Sequence, residues 1–484
     1  MPTAPWSDSV DTHISTLFFA GERVYKLAKR VDFPFLRTLD AAERLRLADR
    51  ELELNRRFAP DVYLGTADVS EGADIVDRMI VMRRLPDDRR LAELLAHDDT
   101  TACLRDVARQ VASIHASAVP IVDPDASFPD RLERNWRDNF DAIHPHVGSV
   151  IDQYDFDAAQ QLAAEYLVQT RTLRRTRVEQ GNIRDGHGDL TASDIFCLDD
   201  GPRILDCLAF NDELRIDDVL NDIAFLAMDV HRLSGPHAAR TLMAAYHEFT
   251  NEQHPPSLAH HYVAYRAHVR AKIACLRAEQ GDYSSVDLAR RYHDLTLHHL
   301  KRARMRVVMI GGGPGVGKTC LAQRLADHYG FVHLATDEIR HDVGHIPHGQ
   351  HAFAAPNTGA YRPEIVSATY EEQLRGARTL VAGGYGVVLD ASWSSAEQRN
   401  AVQAVCAEMG IDLVQIECVL NPAIARERIA RRLANPDNPS DATPDLVDVM
   451  AARSDPWPEA SRIDTAPTLD NVVRNAVSVI DSAL

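Results

Sequence analysis

The stretch GGGPGVGKT occupies residues 311–319 and directly follows the apolar run RVVMI at 306–310. It satisfies the pattern G-x-x-x-x-G-K-[ST] between Gly312 and Thr319, and the helix-forming segment CLAQRLADHYG comes after it. A strand, a glycine-rich turn and a helix in this order form a loop whose backbone N–H groups point at phosphate oxygens. The stretch therefore predicts an α/β domain with a nucleotide site, although it begins only at residue 311.

Each position of this loop has an expected role. Lys318 is expected to reach the β- and γ-phosphates of ATP, and the Thr319 hydroxyl is expected to bind Mg²⁺. The backbone of the other loop residues is expected to surround the phosphates; these are Gly312, Gly313, Gly315, Val316, Gly317 and Cys320. The alternative is a glycine-rich turn with an incidental lysine.

A second apolar strand, GVVLDAS at 386–392, ends in Asp390. A carboxylate at the end of a neighbouring strand is suited to support the hydrated Mg²⁺ ion. An Asp at this place is also an ordinary helix cap, which is the alternative interpretation. We expect the metal role.

The segment FVHLATDEIRHDVG at 331–344 contains Asp337 at the end of a short predicted strand, and Arg340 follows three residues later. Asp337 is placed to take the proton of an attacking hydroxyl, and Arg340 to orient the acceptor. Alternatively, Asp337 caps the next helix and Arg340 is solvated. The histidines of HDVGHIPHGQH at 341–351 have irregular spacing, which favours a mobile substrate-side loop over a metal site.

The segment NPAIARERIARRL at 421–433 places Arg428 and Arg432 four residues apart on one helical face. Such a pair is suited to close over the nucleotide and neutralise charge on the transferring phosphoryl group. A solvated basic helix face is the alternative. The Pro- and Asn-rich loop at 433–445 follows.

The segment from 305 to 484 resembles the P-loop kinases that include zeta toxins, polynucleotide kinase and gluconate-kinase-like enzymes. The resemblance is carried by the glycine-rich loop, TDEIR, GAYRPEIVSATYEEQL, VVLDAS and RIARR. It implies Lys318 and Thr319 at phosphate and Mg²⁺, Asp337 as base, Arg340 as acceptor ligand, Asp390 as a metal carboxylate, and Arg428 with Arg432 in a lid. The acceptor differs widely within that family.

The preceding part of the chain also contains a group of aspartates that are candidates for a functional site. In DGHGDLTASDIFCLDDGPRILDCLAF at 185–210 we expect a loop, a strand, an acidic turn and a second strand ending in Asp206. Asp189, Asp194 and Asp206, brought together by this hairpin, are suited to hold Mg²⁺ and phosphate. A hairpin with solvated acids is equally compatible with the pattern.

The segment STLFFAGERVYKLAK at 15–29 predicts a strand, a turn at Gly21 and Glu22, and a strand that holds Lys26; the charged helix DRELELNRRFAP at 49–60 contains Glu51. A strand lysine and a helix glutamate hold the α- and β-phosphates in protein kinases. Lys29 and Glu53 compete with Lys26 and Glu51, because sequence fixes neither strand register nor helix rotation.

Residues from about 10 to 300 resemble the aminoglycoside-phosphotransferase-like, protein-kinase-related fold, through the order Lys26, Glu51, IVMRRLPDD, HGDLTASDI and ILD. The resemblance implies Asp189 as catalytic base and Asp206 as the metal aspartate. Two features depart from the family: Asp194 stands where a metal-binding Asn is expected, and no G-x-G-x-x-G loop precedes Lys26. The whole chain resembles a bacterial family of two fused kinases.

The expected fold class is therefore mixed α/β and α+β. A bilobal protein-kinase-like domain at 1–300, with a small lobe at about 1–85 and a large lobe at about 86–300, precedes a P-loop domain at 301–484 with a parallel sheet flanked by helices. We expect ATP- and Mg²⁺-dependent transfer to the hydroxyl of a small molecule by both domains. The alternative is a catalytically inactive first domain that binds a ligand and regulates the second.

Composition limits the other possibilities. The formal charge of −18 argues against binding of nucleic-acid duplexes or anionic membranes, because both need a basic surface. No run of about 18 apolar residues and no secretory leader is recognised, so a cytoplasmic location is expected. The seven cysteines lack a CxxC pair and are expected to be reduced thiols. The sequence does not predict an oligomeric state.

Overall fold

The computed structural model describes residues 8–12, 14–33, 36–97, 100–121, 127–345, 362–433 and 443–482. The chain divides into two compact units. The first unit comprises Met1–Gln161, Arg174–His254 and Ala259–Leu300. The second unit comprises Leu162–Leu173, Pro255–Leu258 and Lys301–Leu484.

The chain up to Ala303 mixes short strands with longer helices. Its strands are β1 (Asp8–Asp11), β2 (Ser15–Ala20), β3 (Arg23–Ala28), β4 (Asp32–Phe33), β5 (Leu36–Arg37), β6 (Tyr63–Glu71), β7 (Asp74–Arg83), β8 (Ile183–Asp185), β9 (Ile195–Leu198), β10 (Gly201–Ile204) and β11 (Ile216–Asp218). Its helices are α1 (Ala41–Asn55), α2 (Leu91–His97), α3 (Thr101–Ser117), α4 (Ser127–Ile143), α5 (Gln153–Gln169), α6 (Arg171–Glu179), α7 (Asp212–Arg215), α8 (Val219–Ser234), α9 (Pro236–Thr250), α10 (Pro256–Glu279) and α11 (Ser285–Ala303).

The remainder of the chain alternates strands and helices. Its strands are β12 (Arg306–Gly311), β13 (Val332–Ala335), β14 (Val387–Asp390), β15 (Asp412–Val419) and β16 (Ser461–Asp464). Its helices are α12 (Lys318–Tyr329), α13 (Thr336–Val343), α14 (Pro363–Ala382), α15 (Ala396–Met409), α16 (Pro422–Leu433), α17 (Leu446–Arg453) and α18 (Leu469–Ser482).

An antiparallel sheet in the order β1-β2-β3-β7-β6 opens the first unit. The predicted strand, turn and strand around Gly21 are confirmed, and Leu17 pairs with Lys26 across β2 and β3. Helix α1 packs on β7 over a core that includes Val24, Ala48 and Ile80. The predicted helix at 49–60 is wrong at both ends, because α1 begins at Ala41 and ends at Asn55, five residues before the helix-breaking Pro60.

Helix α8 is the central helix of the first unit. Every residue from Val219 to Val230 is buried, which includes two aspartates, Asp222 and Asp229. Asp218 begins the helix as its N-cap and accepts a hydrogen bond from the Leu220 N–H at 2.9 Å. Because buried carboxylates require partners, the acids on this helix point to a polar network beside it.

The hairpin of β9 and β10 follows the loop at 185–194 and is antiparallel, as predicted. The prediction that Asp206 ends the second strand is wrong, because β10 ends at Ile204. Asp206 instead has a φ of 65°, the left-handed conformation that non-glycine residues seldom adopt. The chain therefore turns sharply at this carboxylate.

One pair of cysteines corrects the expectation of seven reduced thiols. Cys103 on α3 and Cys197 on β9 form a disulfide, with their Cα atoms 6.4 Å apart. The two residues are 94 positions apart in sequence, so no local spacing such as CxxC indicates that they pair. Among the described cysteines the other five are free, and Cys320 is the exposed one.

The sheet of the second unit is parallel, in the order β13-β14-β12-β15-β16. Every residue of β12 and β14 is buried, as expected for strands covered on both faces. Helices α12 and α18 pack on one face around Leu325 and Ile480, and α14 and α15 pack on the other around Val381 and Val402. The predicted parallel sheet flanked by helices is confirmed.

Two short segments from earlier in the chain belong to the second unit. The Gln169 side-chain amide donates to the carbonyl oxygen of Gly410 at 2.7 Å, and the Ser257 hydroxyl donates to that of Gly384 at 2.5 Å. Tyr166 and Ser257 lie 3.1 Å apart through their hydroxyl oxygens. The second unit is thus assembled from three stretches of sequence.

None of the helices in the described residues is both long enough and apolar enough to cross a membrane.

Candidate functional sites in the two units

Lys26 on β3 and Glu51 on α1 are in direct contact in the first unit. Their Nζ and Oε1 atoms lie 2.7 Å apart, and the side chains are only 11% and 14% exposed. The two competitors lie elsewhere: Lys29 donates to the carbonyl oxygen of Thr12, and Glu53 is exposed beside Arg50. The structure therefore brings together Lys26 with Glu51.

Asp206 joins this pair, since its carboxylate accepts a hydrogen bond from the Lys26 ammonium. Its backbone N–H donates to the Tyr63 hydroxyl at 3.1 Å, which holds the turn. Burial disfavours charge on Lys26, but attraction to Asp206 and Glu51 outweighs it and raises the pKa of the ammonium well above its usual value. Lys26 is accordingly a cation held between two carboxylates.

Asp189 and Asp194 lie in the loop before the β9–β10 hairpin. The Asp189 carboxylate is 3.7 Å from the guanidinium of Arg270, and its pKa is raised by desolvation. Asp194 accepts a hydrogen bond from the Thr191 hydroxyl at 2.6 Å. Burial and the negative charge of Asp206 raise the pKa of Asp194 to about 8. Asp189, Asp194 and Asp206 are therefore close enough to repel one another.

The acids of this cluster offer the type of ligand that binds a divalent cation. Asp194 retains so little compensating charge that it favours the protonated form, and a bound cation would reverse that preference. Carboxylate oxygens are the ligands that Mg²⁺ prefers in proteins. The residues present are thus chemically suited to Mg²⁺, and Asp194 supplies a carboxylate where the resembled family has an amide.

Asp222 positions the loop that carries Asp189, and sequence reasoning missed it. Its two carboxylate oxygens accept the backbone N–H groups of His187 at 2.7 Å and Gly188 at 2.9 Å. Its Oδ2 atom also lies 3.1 Å from Nε2 of His115. Despite its burial, these hydrogen bonds and nearby imidazoles lower the pKa of Asp222. The signal in the sequence was an acid within the mostly apolar run VLNDIAFLAMDV at 219–230.

A second acid of α8 supports the same loop. Asp229 accepts the backbone N–H of Ala192 at 3.1 Å and is paired with Arg232. Helix α8 therefore holds the loop at two points, on either side of Asp189.

In the second unit, the loop between β12 and α12 follows the predicted glycine-rich pattern. Gly312, Gly315 and Gly317 have φ values of 134°, 77° and 94°. A Cβ atom on Gly315 would lie 2.6 Å from the carbonyl oxygen of Ala425, and one on Gly312 would lie 2.5 Å from that of Cys418. Glycine is required at both places by conformation and by space.

Lys318 and Thr319 begin α12 directly after this loop. Thr319 and Cys320 are exposed, and Lys318 is half-buried. Asp390 ends β14, the strand beside β12, with its side chain only 4% exposed. These residues therefore lie at the carboxyl ends of adjacent parallel strands, where ligands bind in open α/β sheets.

The surroundings of Asp390 fit a hydrated cation. Its Oδ2 atom lies 3.3 Å from Nε2 of His333, whereas its buried Oδ1 atom has no hydrogen-bond partner among the described residues. A buried carboxylate oxygen without a partner is costly, which favours a bound water or ion at this position.

Asp337 and Arg340 face each other within α13. The guanidinium of Arg340 donates to the Asp337 carboxylate at 2.7 Å, and Asp337 is half-exposed. The prediction that Asp337 ends the strand is wrong by two residues, since β13 ends at Ala335 and Asp337 lies in the first turn of the helix. Burial raises the pKa of the Tyr370 hydroxyl on α14, and the charges of Arg340 and Asp337 also affect this pKa. The hydroxyl oxygen lies 3.2 Å from that of Ser392. Sequence reasoning did not identify Tyr370.

Arg428 reaches the glycine-rich loop from α16. Its guanidinium donates to the carbonyl oxygen of Thr465 at 3.0 Å and lies 3.6 Å from where a Cβ of Gly317 would be. The Thr465 hydroxyl in turn donates to the carbonyl oxygen of Val316 at 2.6 Å. The side chain of Arg432 and the histidine-containing residues 346–351 lie outside the described residues.

A small pocket of about 40 Å³ lies beside Gly312 and Gly313. Its walls include Trp393, Arg399 and Trp457. The Trp457 indole donates to the Gln415 side chain at 2.8 Å, so the wall on this side is fixed. The pocket adds a space next to the phosphate loop that the sequence did not predict.

Comparison with known proteins assigns both units. Residues 28–261 match the profile of the phosphotransferase enzyme family, and residues 307–457 match that of an AAA domain. The chain is 33% identical over 487 residues to uncharacterized proteins of Mycobacterium tuberculosis and Mycobacterium bovis, covering 99% of this chain and 96% of theirs.

Other similarities are partial. An adenylate kinase of Porphyromonas gingivalis is 29% identical over 177 residues, which cover 35% of this chain and 86% of that protein. Among solved structures, the GDP and kanamycin complex of an aminoglycoside phosphotransferase is 14% identical, covers 62% of this chain and 95% of its own, and has a TM-score of 0.41.

Proposed function

This chain belongs to the same two-domain family as the mycobacterial proteins, and from that premise we propose that both of its units transfer the γ-phosphoryl group of ATP to the hydroxyl of a small molecule. Its two matched domains make the chain a kinase. The use of Mg²⁺, the hydroxyl acceptor and activity in both units are the parts that we propose.

The observation that carries the proposal for the second unit is the surroundings of Gly315 and Gly317. Their positive φ values and the crowding at Gly315 leave a glycine-lined loop directly before the amino end of α12. Such an end carries unpaired N–H groups and a partial positive charge, which favour phosphate. Lys318 lies at that end, and the guanidinium of Arg428 is beside it.

Within the second unit, Lys318 would hold the β- and γ-phosphates, with the surrounding amides from Gly312 to Cys320. Thr319 and Asp390 would hold Mg²⁺, which supplies charge neutralisation at the phosphates. The orphaned Oδ1 atom of Asp390 supports this role. Arg428, with Arg432, would stabilise negative charge on the transferring group.

The acceptor would bind where Asp337 and Arg340 meet. Asp337 is half-exposed, and its contact with Arg340 fixes the orientation of the carboxylate. A carboxylate within hydrogen-bond reach of a hydroxyl accepts its proton as the oxygen attacks phosphorus. Arg340 would orient the acceptor or one of its anionic groups.

In the first unit, Lys26 and Glu51 would hold the α- and β-phosphates. Asp194 and Asp206 would bind Mg²⁺, and Asp189 would accept the proton of the acceptor hydroxyl. Three observations support this assignment: the Lys26–Glu51 ion pair, the contact of Lys26 with Asp206, and the anchoring of the Asp189 loop by Asp222. We therefore favour two active units over a regulatory first unit.

The test measures ADP release by the full chain with Mg²⁺ and ATP, in the presence of sugars, aminoglycosides or nucleotides. Lys318→Ala and Asp337→Asn are expected to abolish transfer by the second unit, with Lys318→Ala also losing nucleotide binding there. Asp189→Asn is expected to abolish transfer by the first unit. Wild-type turnover in both second-unit variants with every acceptor contradicts the assignment of that unit, and the same result for Asp189→Asn contradicts that of the first.

A further inference from the structure

Three histidines of the first unit converge away from the carboxylate cluster. His231 lies in the last turn of α8, and His298 and His299 lie near the end of α11. One ring nitrogen from each of the three lies within 4.8 Å of the others. Among the described residues, this is the one group of three side chains of metal-binding type with that geometry.

His299 is the centre of the group. Its Nε2 atom lies 2.8 Å from Nδ1 of His231, and its Nδ1 atom lies 2.8 Å from Nδ1 of His260 on α10. The ring centroid of His298 lies 5.6 Å from that of His231 and 5.1 Å from that of His299. Both nitrogens of His299 therefore have a histidine partner, Nε2 toward His231 and Nδ1 toward His260.

We propose that His231, His298 and His299 bind a zinc-class transition-metal ion, with His260 orienting His299 from behind. Imidazole nitrogens bind Zn²⁺ at about 2.0–2.1 Å in a tetrahedral arrangement, which sets neighbouring ligand nitrogens about 3.3 Å apart. The His231 and His299 nitrogens need to separate by only about 0.5 Å to reach that spacing. Water completes the fourth position.

The contact with His260 is the kind of support that metal-binding histidines have. A ligand imidazole commonly uses its second nitrogen in a hydrogen bond, which fixes the ring and its tautomer. The Nδ1–Nδ1 contact of His299 and His260 supplies this bond and leaves Nε2 of His299 directed at His231.

The burial of the group provides both a dry site and a path to it. His299 is buried, His231 is half-buried, and His298 is exposed. The ligand set is made of nitrogen atoms, which select Zn²⁺, Ni²⁺ or Cu²⁺ over Mg²⁺. The site is therefore chemically distinct from the carboxylate cluster.

Metal binding here would join the end of α8 to the end of α11. Helix α8 also carries Asp222 and Asp229, whose carboxylates hold the loop of Asp189. A ligand that binds only the folded state stabilises it by mass action. Zinc is accordingly expected to stabilise the helix that positions this loop.

The experiment uses the full chain, free of any affinity tag and treated with a chelator. Isothermal titration with Zn²⁺ is expected to give one saturable site with a Kd of about 1 µM or tighter, and the melting temperature is expected to rise with Zn²⁺. Co²⁺ at the same site is expected to produce the visible absorption of a tetrahedral complex.

Variants separate this site from other places where Zn²⁺ can bind. His298→Ala removes an exposed ligand and is expected to weaken Zn²⁺ binding at least about 100-fold, whereas His260→Ala is expected to weaken it about tenfold. His237→Ala, which removes an exposed histidine that is not one of the four, is the control and is expected to bind like wild type.

Two results overturn the proposal: no saturable Zn²⁺ binding below about 1 mM, or unchanged Zn²⁺ affinity and Co²⁺ absorption in His298→Ala. The melting temperature of each variant without metal shows that it is folded. Since His298 is exposed, its variant decides the outcome even where His231→Ala fails to fold.

Discussion

The Nζ atom of Lys26 lies 2.7 Å from Oε1 of Glu51, although one residue is on strand β3 and the other on helix α1. Hydrogen bonds to charged groups contribute about 1.5–3 kcal/mol, more than neutral ones. We predict that Glu51→Gln lowers the affinity of the first unit for ATP by about 10- to 100-fold, because Lys26 loses one of the two charges that hold it. Nucleotide titration is performed in the Lys318→Ala background, which silences the second unit.

Glu53→Gln is the matched control for this change. Glu53 is on the same helix, but its side chain is 71% exposed and pairs with Arg50. We expect wild-type affinity, because exposed ion pairs contribute little. Equal losses in the two variants would contradict the special role of Glu51.

Gly315 and Gly313 lie in the same loop but differ in the space around them. We predict that Gly315→Ala abolishes nucleotide binding by the second unit and destabilises it by about 1–3 kcal/mol, because a Cβ atom there meets a carbonyl oxygen at 2.6 Å with φ at 77°. A Cβ atom on Gly313 meets nothing within 4 Å. Gly313→Ala is therefore expected to keep the wild-type melting temperature. Thermal unfolding of both variants checks the contrast, which fails if they unfold alike.

Arg428 and Arg426 are two residues apart on α16 and make different contacts. We predict that Arg428→Ala lowers kcat of the second unit by about 100-fold or more, with a smaller change in KM, because its charge acts on the transferring phosphoryl group. Arg426 pairs with Asp448 at 2.6 Å and is 41% exposed. Arg426→Ala is expected to retain wild-type kcat. An increase in KM with unchanged kcat in Arg428→Ala would show that the residue contributes to binding and not to stabilisation of the transition state.

Glu252 gives the first unit a measurable acid dependence. Burial opposes its ionisation, but the His254 imidazole 3.3 Å away and the charge of Arg177 lower its pKa from 4.5 to about 2. A carboxylate with a lowered pKa stabilises the fold above the unfolded value of 4.5, and this contribution is lost as pH falls toward 2. We predict that Glu252→Gln lowers the free energy of unfolding by about 2–3 kcal/mol at pH 7 and by less at pH 3.5.

Urea unfolding at the two pH values measures this difference. Glu248→Gln is the control, because Glu248 is exposed and its partner Arg105 lies at the surface. Little change is expected in that variant at either pH. A Glu252→Gln effect of the same size at pH 7 and pH 3.5 would show that the carboxylate charge is not the cause.

The phosphate loop was predictable because its information is local. The strand, the glycines, the lysine and the helix are contiguous from Arg306 to Tyr329. Their order along the chain is therefore enough to predict the loop between the strand and the helix. The choice of Lys26 over Lys29 was not local, since it depends on the register in which Leu17 pairs with Lys26 and on the rotation of α1. A motif without its strand partner cannot determine that register.

The missed residues act across long sequence separations. Asp222 holds backbone N–H groups 35 and 34 residues earlier, and the disulfide joins Cys103 and Cys197 across 94 residues. No periodicity connects such partners. Asp222 still left a trace, because an acid within the buried and mostly apolar part of a helix has to find a donor. Of Asp222 and the disulfide, the acid in an apolar helix is thus the feature that can be recognised in other sequences.

Because the second unit is assembled from three stretches of sequence, a simple truncation of the chain does not isolate all of it. A shortened protein that starts at residue 301 lacks Leu162–Leu173 and Pro255–Leu258, so it loses the Gln169 bond to Gly410 and the Ser257 bond to Gly384. It would also uncover Gly384, against which Leu173 and Pro255 pack. Expression of that fragment is expected to give a less stable, aggregation-prone kinase, so biochemical dissection of this family is better done by point substitution than by truncation.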